Sequence, residues 1–252
     1  MRMAGVVMGK ASGLIVAKAA RIAAHVLEAD RADIAFAEGR FTVTGTDRSI
    51  DLFEIARAAL GSDLPEDLRG PLQAECDETM RIAAFPFGCH VCEVEIDPET
   101  GLVELARYTA VDDVGRAVNP LILHGQAHGA IVQGVGQALW EQCHYDGTTG
   151  QLLSGSFMDY AMPRAQMLPS FTTELSETPA PSNPLGVRAG GEGGTTPTLG
   201  VVVNAVVDAL AGYGVTHVEL PVTSERVWRA MREASPVPAC GESKKREARG
   251  TR

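Results

Sequence analysis

Apolar positions recur along this chain with two different periods, and these periods predict both helices and strands. Spacings of three and four residues are typical of a helix with one buried face. A proline after a polar residue marks a helix start, as in Asn119-Pro120. The helices predicted in this way cover residues 14–29, 49–60, 120–141, 197–211 and 223–232.

Alternating apolar and polar positions predict strands, most of which come in pairs around a tight turn. The turns are Glu38-Gly39, Asp97 to Gly101 and Asp146-Gly147, and a further short strand is predicted over residues 215–220. Because the strands come mostly as hairpins, the pattern predicts an α+β fold, in which hairpins and a mixed sheet pack against helices.

The chain of 252 residues is long enough to bury a substantial core. We expect a helix and hairpin portion over residues 1–75, whose last part, residues 61–75, is a linker rich in proline, glycine and acids. We expect a core over residues 76–235 that contains a long Pro/Gly/Ser loop, and a disordered, partly basic tail over residues 236–252.

Charge and cysteine content narrow the class of protein. The formal net charge of −10 argues against nucleic acid as the main partner. Five cysteines, odd in number and scattered, are typical of reduced thiols in the cytoplasm. The sequence shows no clear secretory signal, and we expect no apolar run long enough to cross a bilayer.

One acid lies among four glycines, in Gly190-Gly191-Glu192-Gly193-Gly194. Glycines let the backbone turn sharply and approach a ligand closely. Thr196 and Pro197 then predict a helix start, with Thr196 as the N-cap. Two interpretations stay open from the loop alone. Glu192 is either a positioned base or ligand, or a surface residue that caps the helix.

The helix predicted over residues 120–141 carries Gln126, Gln133 and Gln137 within roughly 40° of one another on one face. Its four glycines each cost roughly 0.5–1 kcal/mol relative to alanine, so something approaches the helix closely. Amides can both donate and accept hydrogen bonds, which suits recognition of a flat polar cofactor. The alternative is tight helix packing beside a polar seam.

Several other motifs favour no specific chemistry. Cys89 and Cys92 have CxxC spacing, but on a strand they point to opposite faces, and no second pair follows. His124 and His128 could bind a metal, but the glutamate of a zinc protease motif is absent. For Asp112-Asp113, the following glycine and Asn-Pro pair favour a role in turns and caps.

Taken together, the motifs resemble the molybdopterin-binding subunit of the xanthine dehydrogenase/aldehyde oxidase family. The resemblance covers roughly residues 10–232, and the whole set is far more specific than any one motif. The segments that carry it are Val111 to Gly115 with Asn119-Pro120, Gly125 to Gly129, Gln133 to Leu139, Gly155 to Tyr160 with Pro163-Arg164, Asn183 to Arg188, Gly191 to Gly194, Gly214 to His217, and Leu220 to Trp228.

The resemblance implies a molybdenum hydroxylase, in which water-derived oxygen is inserted at an electron-poor carbon of an aldehyde, purine or N-heterocycle. Glu192 is then the active-site base. The implied cofactor is molybdenum–molybdopterin, in its cytosine dinucleotide form, with FAD and 2Fe–2S centres on partner subunits. The residues implied to bind the cofactor are Gly125, Gln126, Gly129, Gln133 and Gly191.

Family members have a much longer molybdopterin subunit, so the resemblance implies that this chain needs the missing N-terminal half, an iron–sulfur subunit and an FAD subunit. Arg188-Ala189-Gly190 is also a mild departure from the usual pattern before the loop. Two alternatives stay open. The chain is part of a carbon monoxide dehydrogenase-type large subunit, or it is a truncated, non-catalytic remnant that only binds partner subunits.

Overall fold

The computed structural model describes residues 2–79 and 82–234, and within them the chain divides into two compact units. Of the described residues, one unit contains those up to residue 83 together with 182–185, and the other contains residues 84–181 and 186–234. The disordered tail predicted over residues 236–252 lies outside the described residues, and the domain boundary predicted at residue 75 stays a prediction.

The first unit packs two helices against a small antiparallel sheet. The hairpin around Glu38-Gly39 is confirmed, because Ile34 pairs with Val43 and Ala37 with Arg40. The helix predicted from residue 49 begins later, because Asp51 forms a capping box with Glu54. The elements are α1 (Arg2–Val26), β1 (Ile34–Ala37), β2 (Arg40–Val43), β3 (Ser49–Asp51) and α2 (Leu52–Ala58), and the sheet order is β1-β2-β3.

Helix α1 corrects one expectation from the sequence, because by length and composition alone it could cross a membrane. This is weak evidence, since core helices and segments near an N-terminus pass the same test. In the structure, the C-terminal half of α1 places Ala19, Ile22 and Ala23 in the core of the first unit, beside Phe41 and Ile55.

The second unit contains a three-stranded mixed sheet, which confirms the predicted fold class. Strands β4 and β5 form the long hairpin around Asp97 to Gly101. Strand β6 pairs with β5 in the parallel direction, and helix α3 makes the crossover between them. The elements are β4 (Phe87–Ile96), β5 (Val103–Asp113), α3 (Pro120–Leu139), β6 (Phe171–Ser176), α4 (Thr195–Ala209) and α5 (Ser224–Glu233).

The core of the second unit lies between the sheet and helices α3 and α4. Its largest fully buried side chain is Tyr108, on β5. The strand predicted over residues 215–220 is wrong: this segment is irregular, although Val215 and Val218 are buried in the same core. Helix α3 begins as predicted, because the Asn119 side chain accepts from the Ile122 N–H at 3.2 Å.

Candidate functional site

A cavity of about 570 Å³ in the second unit contains Glu192 in its wall. The cavity lies where the segment before β4 meets the end of β5 and the start of α4. Its lining combines apolar and aromatic residues with ionisable groups. The lining residues are Ala84, Phe85, Pro86, Phe87, Gly88, His90, Asp112, Ala189, Glu192, Gly193, Thr196 and Pro197.

The Glu192 backbone closes a turn onto α4, while its side chain stays free. The Glu192 carbonyl accepts from the Thr195 and Thr196 N–H groups at 3.2 and 3.4 Å. Helix α4 starts two residues earlier than predicted, with Gly194 rather than Thr196 as the N-cap and no side-chain cap. Within residues 2–79 and 82–234, no group donates a hydrogen bond to the Glu192 carboxylate. The Glu192 side chain therefore does not cap the helix, and its carboxylate is available to a ligand in the cavity.

The glycines on either side of Glu192 let the loop lie directly on helix α3. A Cβ at Gly194 would lie 2.9 Å from the Ala130 Cβ, and one at Gly190 would lie 2.9 Å from a Leu123 methyl. Both distances are too short for a real side chain. The Thr195 hydroxyl also donates to the Ala130 carbonyl at 3.1 Å. A Cβ at Gly191 would meet nothing within 4 Å, so that glycine faces open space.

The chain that leads into the loop is held against the end of β5. The Arg188 N–H donates to the Val114 carbonyl at 2.7 Å, and Gly115 pairs with Val187 in an antiparallel bridge. Gly115 has a φ of +70°, and a Cβ there would lie 2.1 Å from the Gly186 carbonyl oxygen. Only glycine fits this position, because the approach is close and the backbone is left-handed.

Arg188 ties the aromatic wall of the cavity to a buried carboxylate. Its guanidinium Nε lies 3.4 Å from Asp113 Oδ1, and its guanidinium carbon lies 5.0 Å from the centre of the Phe87 ring. Its Nη1 also reaches the Phe85 carbonyl at 3.5 Å. One cation thus orients two aromatic residues of the wall through an ion pair, a hydrogen bond and a cation–π contact.

Asp113 performs the turn and cap role that the sequence predicted for the acid pair. Its carboxylate accepts from the Gly115 N–H at 2.9 Å and from the Thr178 N–H at 2.8 Å. Burial acts to raise the pKa of Asp113, but hydrogen bonds from Thr178, Gly115 and Ser176 outweigh it and lower the pKa below its ordinary value. Asp113 is therefore an ionised, structural carboxylate, next in sequence to Asp112 of the cavity wall.

Asp112 has a different role, which the sequence did not predict. Its Oδ1 lies 3.1 Å from His90 Nε2, and the other ring nitrogen of His90 lies 2.8 Å from the Tyr108 hydroxyl. The pairing of β4 with β5 explains this arrangement, because His90 is opposite Ala110 and therefore lies between Tyr108 and Asp112 on one face. A Cβ at Gly88 would lie 2.6 Å from Asp112 Oδ1, so glycine leaves room for the carboxylate.

The cofactor-binding residues predicted on α3 do not line the cavity that contains Glu192. All four are exposed, and a Cβ at Gly125 or Gly129 would meet nothing within 4 Å. Gln126 and Gln133 lie roughly 60–80° around the helix from Leu123, on the face next to the one that contacts the glycine loop. Their role in cofactor binding stays a prediction. Gly134, in contrast, packs against Thr198 of α4, as the tight-packing alternative expected.

The remaining motifs form no metal site in the described part of the chain, where no group of three His, Cys, Asp or Glu residues could hold a metal ion. Cys89 is exposed, whereas Cys92 packs against the core, as expected for residues on opposite faces of a strand. Burial raises the pKa of Cys92 to about 11. His124 and His128 both contact the Thr173 hydroxyl, at 2.8 and 3.1 Å.

Comparison with known proteins decides the family. A family model described as a molybdopterin cofactor-binding domain matches residues 2–169. The chain belongs to this molybdopterin cofactor-binding family. This result confirms the resemblance that the motifs predicted. The matched segment contains the glutamine face of α3 but not Glu192.

Individual relatives extend the similarity across the glycine loop. The chain is 36% identical over 92% of its length to the carbon monoxide dehydrogenase large chain of Hydrogenophaga pseudoflava. It is 38% identical over 90% of its length to the gamma subunit of the 6-hydroxypseudooxynicotine dehydrogenase complex of Paenarthrobacter nicotinovorans. It spans only 29% and 28% of these two relatives, so it corresponds to less than a third of each.

Solved structures at about one third sequence identity share the fold. A Cu,Mo-CO dehydrogenase superposes with a TM-score of 0.82 at 33% identity, covering 91% of this chain and 29% of that one. The quinoline 2-oxidoreductase of Pseudomonas putida 86 superposes with a TM-score of 0.80 at 33% identity, covering 90% of this chain and 29% of that one. At this identity and coverage, the fold described above is the fold of these enzymes over the shared segment.

Proposed function

We propose that this chain is the C-terminal, cofactor-binding part of a molybdenum-dependent oxidoreductase, with Glu192 as the active-site base. The observation that carries the proposal is the free carboxylate of Glu192, held on a glycine loop in the wall of a cavity. Membership of the molybdopterin cofactor-binding family and the names of the relatives support the class of reaction.

The residues present suit the proposed cofactor. The exposed amides of Gln126 and Gln133 can each donate and accept hydrogen bonds to a pterin, and the open Gly125 and Gly129 leave room for it. When bound, the molybdenum cofactor supplies the redox chemistry, while the protein supplies binding and orientation. The role of Glu192 is to accept a proton during the reaction, which requires its carboxylate within hydrogen-bond reach of that proton.

The cavity wall suggests the shape of the substrate. The Phe85 and Phe87 rings are exposed, and Arg188 holds Phe87 in place by a cation–π contact. Aromatic rings favour stacked or edge contacts with flat molecules. The wall therefore favours a planar, aromatic substrate, as in a hydroxylase of N-heterocycles. The names of the nicotine 6-hydroxylase and quinoline 2-oxidoreductase relatives support the same class.

A carbon monoxide dehydrogenase-type large subunit is the second candidate, supported by large chains of such enzymes at 36% and 34% identity. We further propose the cytosine dinucleotide form of the cofactor, with FAD and 2Fe–2S centres on partner subunits. Assays of the purified complex with carbon monoxide and with N-heterocycles would separate the two candidates, because each predicts turnover of one substrate class.

The test of the proposal is the metal content of the native complex. The chain is tagged in its source organism and purified with whatever partners remain bound, and molybdenum is then measured by mass spectrometry. We expect molybdenum close to one atom per tagged chain, with a pterin released on denaturation. A stable complex that contains neither molybdenum nor pterin would overturn the proposal and favour the non-catalytic remnant.

A further inference from the structure

A chain of hydrogen bonds runs from the cavity wall to the glycine loop that carries Glu192. His90 Nδ1 lies 2.8 Å from the Tyr108 hydroxyl, which lies 2.7 Å from the Thr198 hydroxyl. The Thr198 hydroxyl donates to the Gly194 carbonyl at 2.5 Å. Tyr108 and Thr198 are fully buried, and only 2% of the His90 side chain is exposed. Water therefore has little access to the groups in this chain.

The chemistry of these groups allows only one direction of donation. A carbonyl oxygen cannot donate, so the single proton of the Thr198 hydroxyl is used on Gly194. The Tyr108 hydroxyl must then donate to Thr198, which leaves it only as an acceptor toward His90. His90 Nδ1 must consequently carry a proton. Burial raises the pKa of Tyr108 to about 12, so the phenol keeps the proton that this direction requires.

The other ring nitrogen of His90 faces the Asp112 carboxylate at 3.1 Å. The ring is therefore held on both sides, by Tyr108 at Nδ1 and by Asp112 at Nε2.

We propose that His90 is a positioning residue for Glu192, acting through Tyr108, Thr198 and the Gly194 carbonyl. The Gly194 carbonyl fixes the direction of these hydrogen bonds, and the Nδ1–H of His90 completes them at the other end. His90 thereby supports the N-cap of α4, two residues after Glu192. This inference rests on the proposed function of Glu192. The position of the proton on the His90 ring, however, is a property of the polypeptide and is measured without cofactor or substrate.

The experiment is a proton–nitrogen correlation spectrum of the full chain with nitrogen-15-labelled histidine. The chain has six histidines, and the signals of His90 are those lost in His90→Asn. We expect Nδ1 of His90 to be protonated throughout the neutral and mildly alkaline range. A His90 ring with its proton only on Nε2 would overturn the proposal, because the hydrogen-bond chain would then run in another direction.

Thr198→Val makes the test specific. It removes the acceptor for the Tyr108 proton without changing any group that contacts His90. The Tyr108 hydroxyl can then donate to His90 Nδ1, so we expect the ring to lose its Nδ1 proton. Thr195→Val is the matched control. The Thr195 hydroxyl also donates to a backbone carbonyl, but it takes no part in the hydrogen bonds that link His90 to Gly194. A His90 spectrum that stays unchanged in Thr198→Val would contradict the direction derived above.

The positioning role is read separately in the assembled complex. There we expect Thr198→Val to lower kcat roughly 10- to 100-fold with little change in KM, because a small displacement of a base reduces the rate at unchanged binding. An unchanged kcat would remove the positioning role. Failure of the Glu192 proposal would show differently, as an active Glu192→Gln complex in which His90 still carries its Nδ1 proton.

Discussion

The glycines of α3 fall into two groups, and substituting one from each should change stability in opposite directions. A Cβ at Gly129 would meet nothing within 4 Å, whereas one at Gly134 would lie 2.6 Å from the Thr198 Cβ and 2.9 Å from the Thr195 carbonyl oxygen. Alanine in a helix is favoured over glycine by roughly 0.5–1 kcal/mol. Gly129→Ala should therefore raise the free energy of unfolding by about that amount.

Gly134→Ala gains the same propensity but forces apart two packed helices. Overpacking of a core costs roughly 1–3 kcal/mol. The net result should be a loss of about 0.5–2 kcal/mol, which is a few degrees in melting temperature for a chain of this size. Urea unfolding of the full chain, followed by far-UV circular dichroism, measures both variants. A Gly134→Ala chain at least as stable as the wild type would refute the packing argument.

Gly129→Ala also tests why an open glycine occurs in α3. If Gly129 leaves room for the cofactor, Gly129→Ala should lower the molybdenum content of the purified complex while it stabilises the chain. Gly200→Ala is the control, because Gly200 is an exposed helical glycine of α4 with nothing within 4 Å of an added Cβ. Equal molybdenum content in both variants would show that Gly129 has no role in cofactor binding.

Three further outcomes follow from the structure. Asp113→Asn should lower the free energy of unfolding by about 1–3 kcal/mol at neutral pH. Because folding lowers the pKa of Asp113, its carboxylate stabilises the fold less once it is protonated, so urea unfolding below about pH 4 should show a smaller difference from the wild type. Gly101→Ala should cost about 1–3 kcal/mol more than Gly150→Ala in the same assay, since both have positive φ but only the first Cβ would clash, 2.2 Å from the Ser224 carbonyl. The chain expressed alone should self-associate in sedimentation velocity, because apolar side chains such as Met158 are up to 93% exposed, and a monodisperse monomer would contradict this.

Elements with local signals were predicted well from the sequence. Asn119-Pro120 marks the start of α3, and two of the three predicted turns mark the β1–β2 and β4–β5 hairpins. At the third turn, Asp146-Gly147, only an isolated bridge between Tyr145 and Leu152 forms. Strand β6 was missed because it is short and pairs in parallel with β5, from which helix α3 separates it in sequence. No hairpin turn in the sequence therefore indicates this strand. The start of α4 was misplaced because the Thr195 hydroxyl bonds the Ala130 carbonyl, a tertiary contact that local capping rules do not include.

The candidate site was predicted only in part, for a comparable reason. Four glycines around one acid pointed to Glu192, but nothing local linked His90 to Asp112. Counting residues from the hairpin turn would place His90 opposite Thr109, with Asp112 on the other face. A register shift between Glu93 and Val94 moves the pairing by one residue and brings the two side chains together. Such an irregularity has no clear signature in a single sequence.

The most direct test of the account is turnover by the purified complex that carries Glu192→Gln, compared with Glu104→Gln, an exposed glutamate of β5 outside the cavity. At equal molybdenum content, we expect Glu192→Gln to lower kcat by roughly 10²–10⁴-fold, the range typical of a lost general base. We expect Glu104→Gln to leave kcat unchanged. Full activity of a Glu192→Gln complex with a normal molybdenum content would contradict the assignment of Glu192 as the base.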